Sequence, residues 1–322
     1  MRARLALCLA LVAAPLRAGA DEAPPPVTPL PVTPLSVTPL PVTEVAPGVF
    51  VYAAPYELAD PENEDAICNL GFVVGGQAVA VIDSGGSYLA GRRLLAAVRV
   101  VTGLPVRYLI DTHVHPDHVL GNAAFAEVGA TIVGHAALPE ALAARAGSYL
   151  AATERLIGAA AFAGTKAVPP DMVVTAQITL DLGGRELLLE AWPTAHTNSD
   201  LTAFDRTTGT WFLGDLVFSG HVPALDGSLT GWLAVLDRLT VRPAARVVPG
   251  HGPATLPWPE GAAATRRYLA VLAADIRRLI RTGATMSEAA ASAGQSEKGA
   301  WSLFDDFAGR NATAAFHELE WE

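Results

Sequence analysis

Short apolar runs, most of them bounded by glycine, proline or acidic residues, recur along the chain from about residue 44. "GVFVYAA", "ICNLGFVVGG" and "AVAVIDSGG" have the length and β-branched content of strands, and Gly75-Gly76 predicts a tight turn between the last two. The spacing of Leu89, Leu94, Leu95 and Val98 predicts a helix over 87–101. "VRYLID" reads as the next strand, 117–128 as a helix stopped by Gly129, "TIVGH" as a strand and 137–160 as an Ala-rich helix. "QITLDL", "ELLLEAW", "LTAFD" and "TWFLGD" follow as strands, then "LTGWLAVLDRL" as a helix and "RVVPG" as a strand. Over 258–282 a long amphipathic helix collects Leu269, Leu272, Ile276, Leu279 and Ile280 on one face, and Thr285 with Glu288 forms a capping box for a short one. Strands and helices are mixed without strict βαβ order, so the expected class is α/β, with sheets covered by helices on their outer faces.

The ends of the chain differ from this pattern. Arg2 and Arg4 precede the apolar run Leu5 to Leu16, and "AGA" follows at 18–20. That is the order of a secretory signal, which predicts removal of residues 1–20 and a periplasmic protein with no membrane span after cleavage. Residues 21–43 read as a Pro-rich linker, in which a Pro/Ser-Val-Thr-Pro-Leu unit repeats three times from Pro26 to Leu40. Proline at this density favours an extended tether, either a plain spacer or a docking segment. Residues 44–322 are then one folded domain with a C-terminal helical extension.

Of 322 residues 51% are hydrophobic, ample for a large core, and the net charge of −10 argues against a nucleic-acid partner. Only Cys68 remains once the leader is removed, so no internal disulfide can form. Its apolar surroundings predict a buried core cysteine rather than a reactive thiol.

Chemistry concentrates in "DTHVHPDH", residues 111–118, directly after an apolar strand. Three of eight histidines sit there. His113 and His115, two apart in a loop, can converge on one ion, while Asp117 and His118 can face a second. Three further strands each end in one ligand type: His196 after "ELLLEAW", Asp215 in "WFLGDLVF" and His251 in "VVPGHG". Three nitrogen ligands and an open position are what a catalytic zinc site needs. Mixed imidazole and carboxylate donors also tolerate iron or manganese. His221 and Asp226 follow Asp215 closely enough to reach a pocket, His221 as a proton or hydrogen-bond donor. Asn198 and Asp200 could orient His196. Trp192, Trp211 and Trp232 are expected in the core or the pocket wall, and His135 and His317 at the surface or in helix packing.

His-x-His-x-Asp-His, then a lone His, then "GD" and "PGHG", resembles the metallo-β-lactamase superfamily over roughly residues 44–260. The resemblance implies a four-layer αβ/βα sandwich with a dinuclear site. By position, His113, His115 and His196 would hold one zinc, Asp117, His118 and His251 the other, and Asp215 would bridge them. Asp83 in "VIDSGG" would support the metal loop. Metal-bound hydroxide would attack an ester, thioester or amide carbonyl, with Asp117 and His221 as the catalytic side chains. The stretches "PENEDAICNLGFVVGG", "GHAALPEALAARAGSYL", "AHTNSDLTAFD", "PALDGSLTGWL" and "ELEWE" look like the quinoprotein relay system zinc metallohydrolases, also described as SoxH-related. This likeness implies a small-molecule substrate and company with a periplasmic quinoprotein dehydrogenase or cytochrome c. Two alternatives stay open: a mononuclear iron enzyme of persulfide dioxygenase type using His113, His196 and Asp215, and a non-enzymatic accessory of a quinoprotein relay. The arginines 266, 267, 277 and 278 read as the solvated face of the long helix, not as a glutathione grip.

Overall fold

The computed structural model describes residues 37–322. The leader and most of the Pro-rich segment therefore lie outside the described residues. The last repeat unit enters them and packs on the domain. Leu40 is buried, its N–H donates to the Arg93 carbonyl at 3.2 Å, and the Arg93 Nε donates to the Thr38 carbonyl at 3.1 Å.

Two sheets face each other. The first carries seven strands in sequential order: β1 (Thr43–Ala46), β2 (Val49–Tyr52), β3 (Leu70–Val74), β4 (Val79–Ile82), β5 (Val106–Ile110), β6 (Thr131–His135) and β7 (Met172–Val174). The first four pair antiparallel and the rest parallel, with helices α1 (Tyr88–Val101), α2 (Pro116–Val119), α3 (Asn122–Ala126) and α4 (Leu138–Phe162) in the connections. The second sheet has the order β12-β11-β10-β9-β8, from β8 (Gln177–Asp181), β9 (Glu186–Ala191), β10 (Leu201–Asp205), β11 (Thr210–Phe218) and β12 (Arg246–His251). Helices α5 (Leu229–Thr240), α6 (Ala263–Arg281), α7 (Met286–Ser292) and α8 (Phe304–Leu319) belong to this half.

Period-two alternation builds the layers. In β4, Ala80 and Ile82 point between the sheets, while Val79 and Val81 point outward to Leu94, Leu95 and Val98 of α1. In β11, Phe212 faces the other sheet while Trp211 and Leu213 join the α5, α6 and α8 core. Helix, sheet, sheet, helix is the four-layer αβ/βα sandwich. Trp192, Trp211 and Trp232 all lie in that second outer core. No helix among the described residues is long and apolar enough to cross a membrane.

Several elements depart from the periodicity. The single helix expected over 117–128 is two short ones, α2 and α3, interrupted at Leu120–Gly121. A Cβ on Gly121 would overlap the Ser84 carbonyl oxygen, so the interruption lets the chain lie against the β4 loop. The long amphipathic helix is preceded by a 3-10 turn, Glu260–Ala262, and α6 begins at Ala263. The α7 capping box forms as the sequence predicts. β7, three residues long, is too short for periodicity to reveal.

Candidate metal centre

The strand ends of both sheets meet on one edge. Asp83 follows β4 with φ of +58°, and its carboxylate accepts from the Thr112 N–H, the Thr112 hydroxyl and His118 Nδ1, each at 2.8 Å. The Thr112 oxygen in turn accepts from His113 Nδ1 at 3.0 Å. One buried carboxylate therefore sets the rotation and tautomer of two histidines, leaving both Nε2 atoms free to point inward. Two further imidazoles are fixed the same way. His196 Nδ1 donates to the Ala224 carbonyl at 2.7 Å, and His115 Nε2 donates to Asp226 Oδ2 at 3.1 Å.

The inward atoms converge. His115 Nδ1 lies 3.1 Å from His113 Nε2 and 3.0 Å from His196 Nε2. Asp215 Oδ2 is 3.2 Å from His196 Nε2 and 3.6 Å from both His113 Nε2 and His251 Nε2, while its Oδ1 is 3.3 Å from His118 Nε2. Asp117 Oδ2 stands 3.3 Å from His251 Nε2 and 3.5 Å from His118 Nε2. His113, His115, His196 and Asp215 form one group of potential ligands, and His118, Asp215 and His251 another, with Asp215 common to both. A tetrahedral ion with bonds of about 2.0–2.1 Å separates its ligand atoms by roughly 3.3 Å. The observed spacings bracket that value. His118 Nε2 and Asp215 Oδ1 are buried and lack hydrogen-bond partners despite their proximity. Orphaned buried polar atoms are costly in a native fold unless something binds them. The cluster is able to bind metal.

Backbone detail aims these groups. The β11–β12 register shifts around Gly214, whose φ is +51° and whose Cβ would lie 2.7 Å from the Thr112 hydroxyl. This irregularity turns Asp215 toward the other sheet. A Cβ on Gly250 would overlap Asp215 Oδ1. Asn69 in the approach to β3 ties the two halves together. It donates through Nδ2 to the Pro249 carbonyl at 2.9 Å and through its backbone N–H to Gly250 at 2.7 Å.

The charges follow from crowding. Burial and the neighbouring His118 hold His113 well below the ordinary imidazole range, and burial lowers His115. Burial resists charge on Asp215, but the four histidines around it, His251 foremost, hold its carboxyl well below the usual range. His118 and His251 go the other way. Burial opposes their protonation, yet Cys68 and the carboxylates around His118, and Asp215 and Asp117 beside His251, raise both.

A cavity of about 570 Å³ opens over the cluster, reached by His115, Asp117, Asp215 and His251. His221 lines it too, with its ring centre 4.8 Å from that of His251. Its Nδ1 donates to the Val222 carbonyl at 2.7 Å, and burial with His251 brings its pKa to about 4. The neutral ring therefore offers only the Nε2 lone pair. Nε2 is thus the atom through which His221 can accept a proton or hydrogen bond and hand a proton onward. Asp226 reaches the cavity and orients His115. Asp200 stays behind the loop and accepts from Thr197 N–H and hydroxyl, with burial raising its pKa to about 7; it braces the His196 turn without touching the ring. Asn198 is exposed and no side-chain bond holds it. His135 accepts from the Ala137 N–H, and His317 is exposed; neither takes part.

Two residues of this neighbourhood lack a sequence signal. Cys68 is buried in the core as expected, but it also borders the cluster, its thiol donating to the Asp117 carbonyl at 2.9 Å. Burial pushes that thiol far up, so it is not a reactive thiolate. Asp65 lines the cavity floor while only 3% exposed, and it follows Glu64 in a left-handed pair with φ of +56° and +63°. Burial, helped by Asp117, raises its carboxyl well above the usual range. Only the irregular 54–69 loop brings it here, which no motif announces.

A double sheet with a His/Asp cluster on its shared edge defines a metal-binding fold of hydrolytic type. The profile of the metallo-β-lactamase superfamily matches residues 64–251, and the chain belongs to that superfamily, whose members are mostly hydrolases. Among solved structures it is similar to a metallo-β-lactamase from Pontibacter korlensis, with TM-score 0.57 and 21% identity over 72% of this chain and 99% of that one. It is also similar to the stereoselective inverting sec-alkylsulfatase Pisa1 from Pseudomonas sp., with TM-score 0.64 and 14% identity over 86% of this chain and 50% of that one. The DIM-1 metallo-β-lactamase gives TM-score 0.56 and 16% identity over 73% of this chain and 98% of that one. At such identities the likeness is one of fold. No curated protein matches the chain.

Proposed function

We propose that this protein is an exported dinuclear zinc hydrolase acting on an ester, thioester or amide carbonyl, of the SoxH-related branch, and working beside a quinoprotein dehydrogenase. The observation that carries the hydrolase reading is the convergence of five imidazole nitrogens and two carboxylates, with His118 Nε2 and Asp215 Oδ1 buried and unpartnered. His113, His115 and His196 would hold one ion, Asp117, His118 and His251 the other, and Asp215 both. Two bound divalent cations supply a lowered water pKa and Lewis-acid polarisation of a carbonyl oxygen. The chain's own residues do the rest. Asp226, Asp83 and the Ala224 carbonyl keep the ligating nitrogens deprotonated and aimed. Water oxygen adds to the acyl carbon and the bond to the departing oxygen, sulfur or nitrogen breaks. Asp117 and neutral His221 face the cavity and can take the water proton and pass it to the leaving group. The export and quinoprotein parts rest on the leader-like residues 1–20 and on the quoted sequence stretches.

Elemental analysis of protein from its export compartment tests the reading. About two zinc ions per chain are expected, with His118→Ala and His251→Ala each losing about one and hydrolysing a panel of esters and thioesters at least about 100-fold more slowly. One iron per chain with oxygen uptake on a persulfide would overturn it.

A further inference from the structure

Beyond its metal-facing floor, the cavity lining combines apolar side chains with two arginines and a tyrosine. Leu58 and Leu156, 46% and 50% exposed, line it together with Ile67, Ala152 and Phe307. Leucines left this open beside an active-site cavity are suited to cover an apolar part of a ligand. Arg145 from α4, Tyr149 one turn further on, and Arg310 from α8 make up a polar end of the same cavity.

Neither guanidinium is satisfied by the protein. Arg310 has no hydrogen bond or ion pair among the described residues and lies 5.7 Å from the Phe307 ring centre. Arg145 reaches Asp226 Oδ2 only at 3.5 Å, an oxygen already engaged by His115 at 3.1 Å. Burial keeps the Tyr149 phenol protonated by raising its pKa, with Asp226 adding to the rise, although Arg145 and Arg310 both lie close enough to pull it down. Among the described residues Arg310 and the Tyr149 hydroxyl have no hydrogen-bond partner, and Arg145 makes only 3.5 Å contacts, to Asp226 Oδ2 and the Ala141 carbonyl. The neighbouring Asn311 clasps the Pro223 carbonyl at 2.6 Å and receives the Leu225 N–H at 2.9 Å, which fixes α8 and hence Arg310 against the His221 loop.

We propose that Arg145, Tyr149 and Arg310 bind a carboxylate of the substrate. The substrate class is then an acyl ester or thioester whose carboxylate is separated from the scissile carbonyl by an apolar segment. This deepens the hydrolase reading and rests on it for the scissile bond, but the binding site itself does not. Guanidinium pairs recognise a carboxylate through two parallel hydrogen bonds, which a neutral end group cannot match.

The test compares mono-4-nitrophenyl glutarate with 4-nitrophenyl pentanoate on zinc-loaded full-length protein, and measures by calorimetry the binding of glutarate monoanilide against the anilide of pentanoic acid. The wild type is expected to prefer the charged member of each pair. In Arg310→Gln that preference should fall about tenfold in both kcat/KM and affinity, with Arg310→Lys recovering part of it. Arg145→Gln should show the same loss, which checks that one variant is not an isolated folding defect. If neither ester is hydrolysed but anilide binding still depends on Arg310, the hydrolase reading fails and the carboxylate site stands. If the wild type shows no preference, or both glutamine variants keep it, the carboxylate site is refuted.

Discussion

Replacing Asp83 with asparagine removes one charge and almost no volume, yet it inverts the hydrogen-bond logic of the centre. The carboxylate now accepts three hydrogen bonds, one of them from His118 Nδ1 and one from the Thr112 hydroxyl that itself accepts from His113 Nδ1. An amide with Nδ2 in place of Oδ2 donates to both partners. His118 Nδ1 must then accept, so its proton moves to Nε2, the atom that faces Asp117 and Asp215. The Thr112 hydroxyl, no longer able to donate to residue 83, turns toward His113 Nδ1 and forces the same tautomer there. The opposite amide orientation spares His118 but sets an N–H against the Thr112 N–H, which costs about 1–3 kcal/mol in a buried site. Loss of a residue that orients a ligand costs metal affinity about 10–100-fold, or roughly 1.4–2.7 kcal/mol. The two penalties are comparable, so neither orientation offers an escape. In the proposed dinuclear centre His113 and His118 would hold different ions, so both affinities should fall by about that factor. Competition titration with a chromophoric chelator measures each step, and imidazole ¹⁵N shifts report the tautomers. Unchanged affinity at both positions, with Nδ1 still protonated on both rings, would refute the assignment of Asp83 as the common orienting group.

Other expectations follow from single contacts. Gly250→Ala places a methyl on Asp215 Oδ1 and within 2.9 Å of the Gly214–Asp215 backbone, so the carboxylate and the strand behind it must move and bound metal should drop below about one per chain on elemental analysis. Asp205, whose side chain is buried, accepts from Arg185 at 2.6 and 3.1 Å and from the Thr208 hydroxyl. Asp205→Asn should cost about 3 kcal/mol in urea unfolding at pH 7. Burial opposes ionisation of Asp205, but Arg185 and Thr208 hold its pKa below the ordinary value. Its contribution is therefore complete above about pH 4 and is lost as pH falls through the lower folded value, so the gap between wild type and variant should close in acid. A gap that widens in acid would contradict this.

The gathering of His113, His115, Asp117 and His118 is legible because a turn after one strand keeps them contiguous. His196, Asp215 and His251 are legible because each ends an apolar run, and strand ends share an edge in a two-sheet fold. Asp83 is legible as the acid closing "VIDSGG". The carboxylate-facing trio is not legible, since Arg145 and Arg310 come from helices more than 160 positions apart and each alone reads as a solvated surface charge. Asp65 is hidden for a related reason: its placement depends on two left-handed residues that no local pattern demands. His221 is visible as a residue near the pocket, but its role turns on the Val222 carbonyl, a tertiary detail. The break at Gly121 is equally invisible, because the periodicity of 117–128 satisfies a helix until the Ser84 carbonyl takes the space.

The first sheet's loops bring His113, His115, Asp117 and His118, and the second sheet's bring His196, Asp215 and His251. The His113, His115, His196 and Asp215 group is therefore incomplete until β11 has docked, and the His118, Asp215 and His251 group until the β12 loop has followed. Ion capture becomes a late event in maturation. Occupancy then reports that both halves have met, and a cell short of the bound ion would accumulate a folded but unsealed precursor. Free ion concentration would set how far it is sealed, by mass action on the docked state alone.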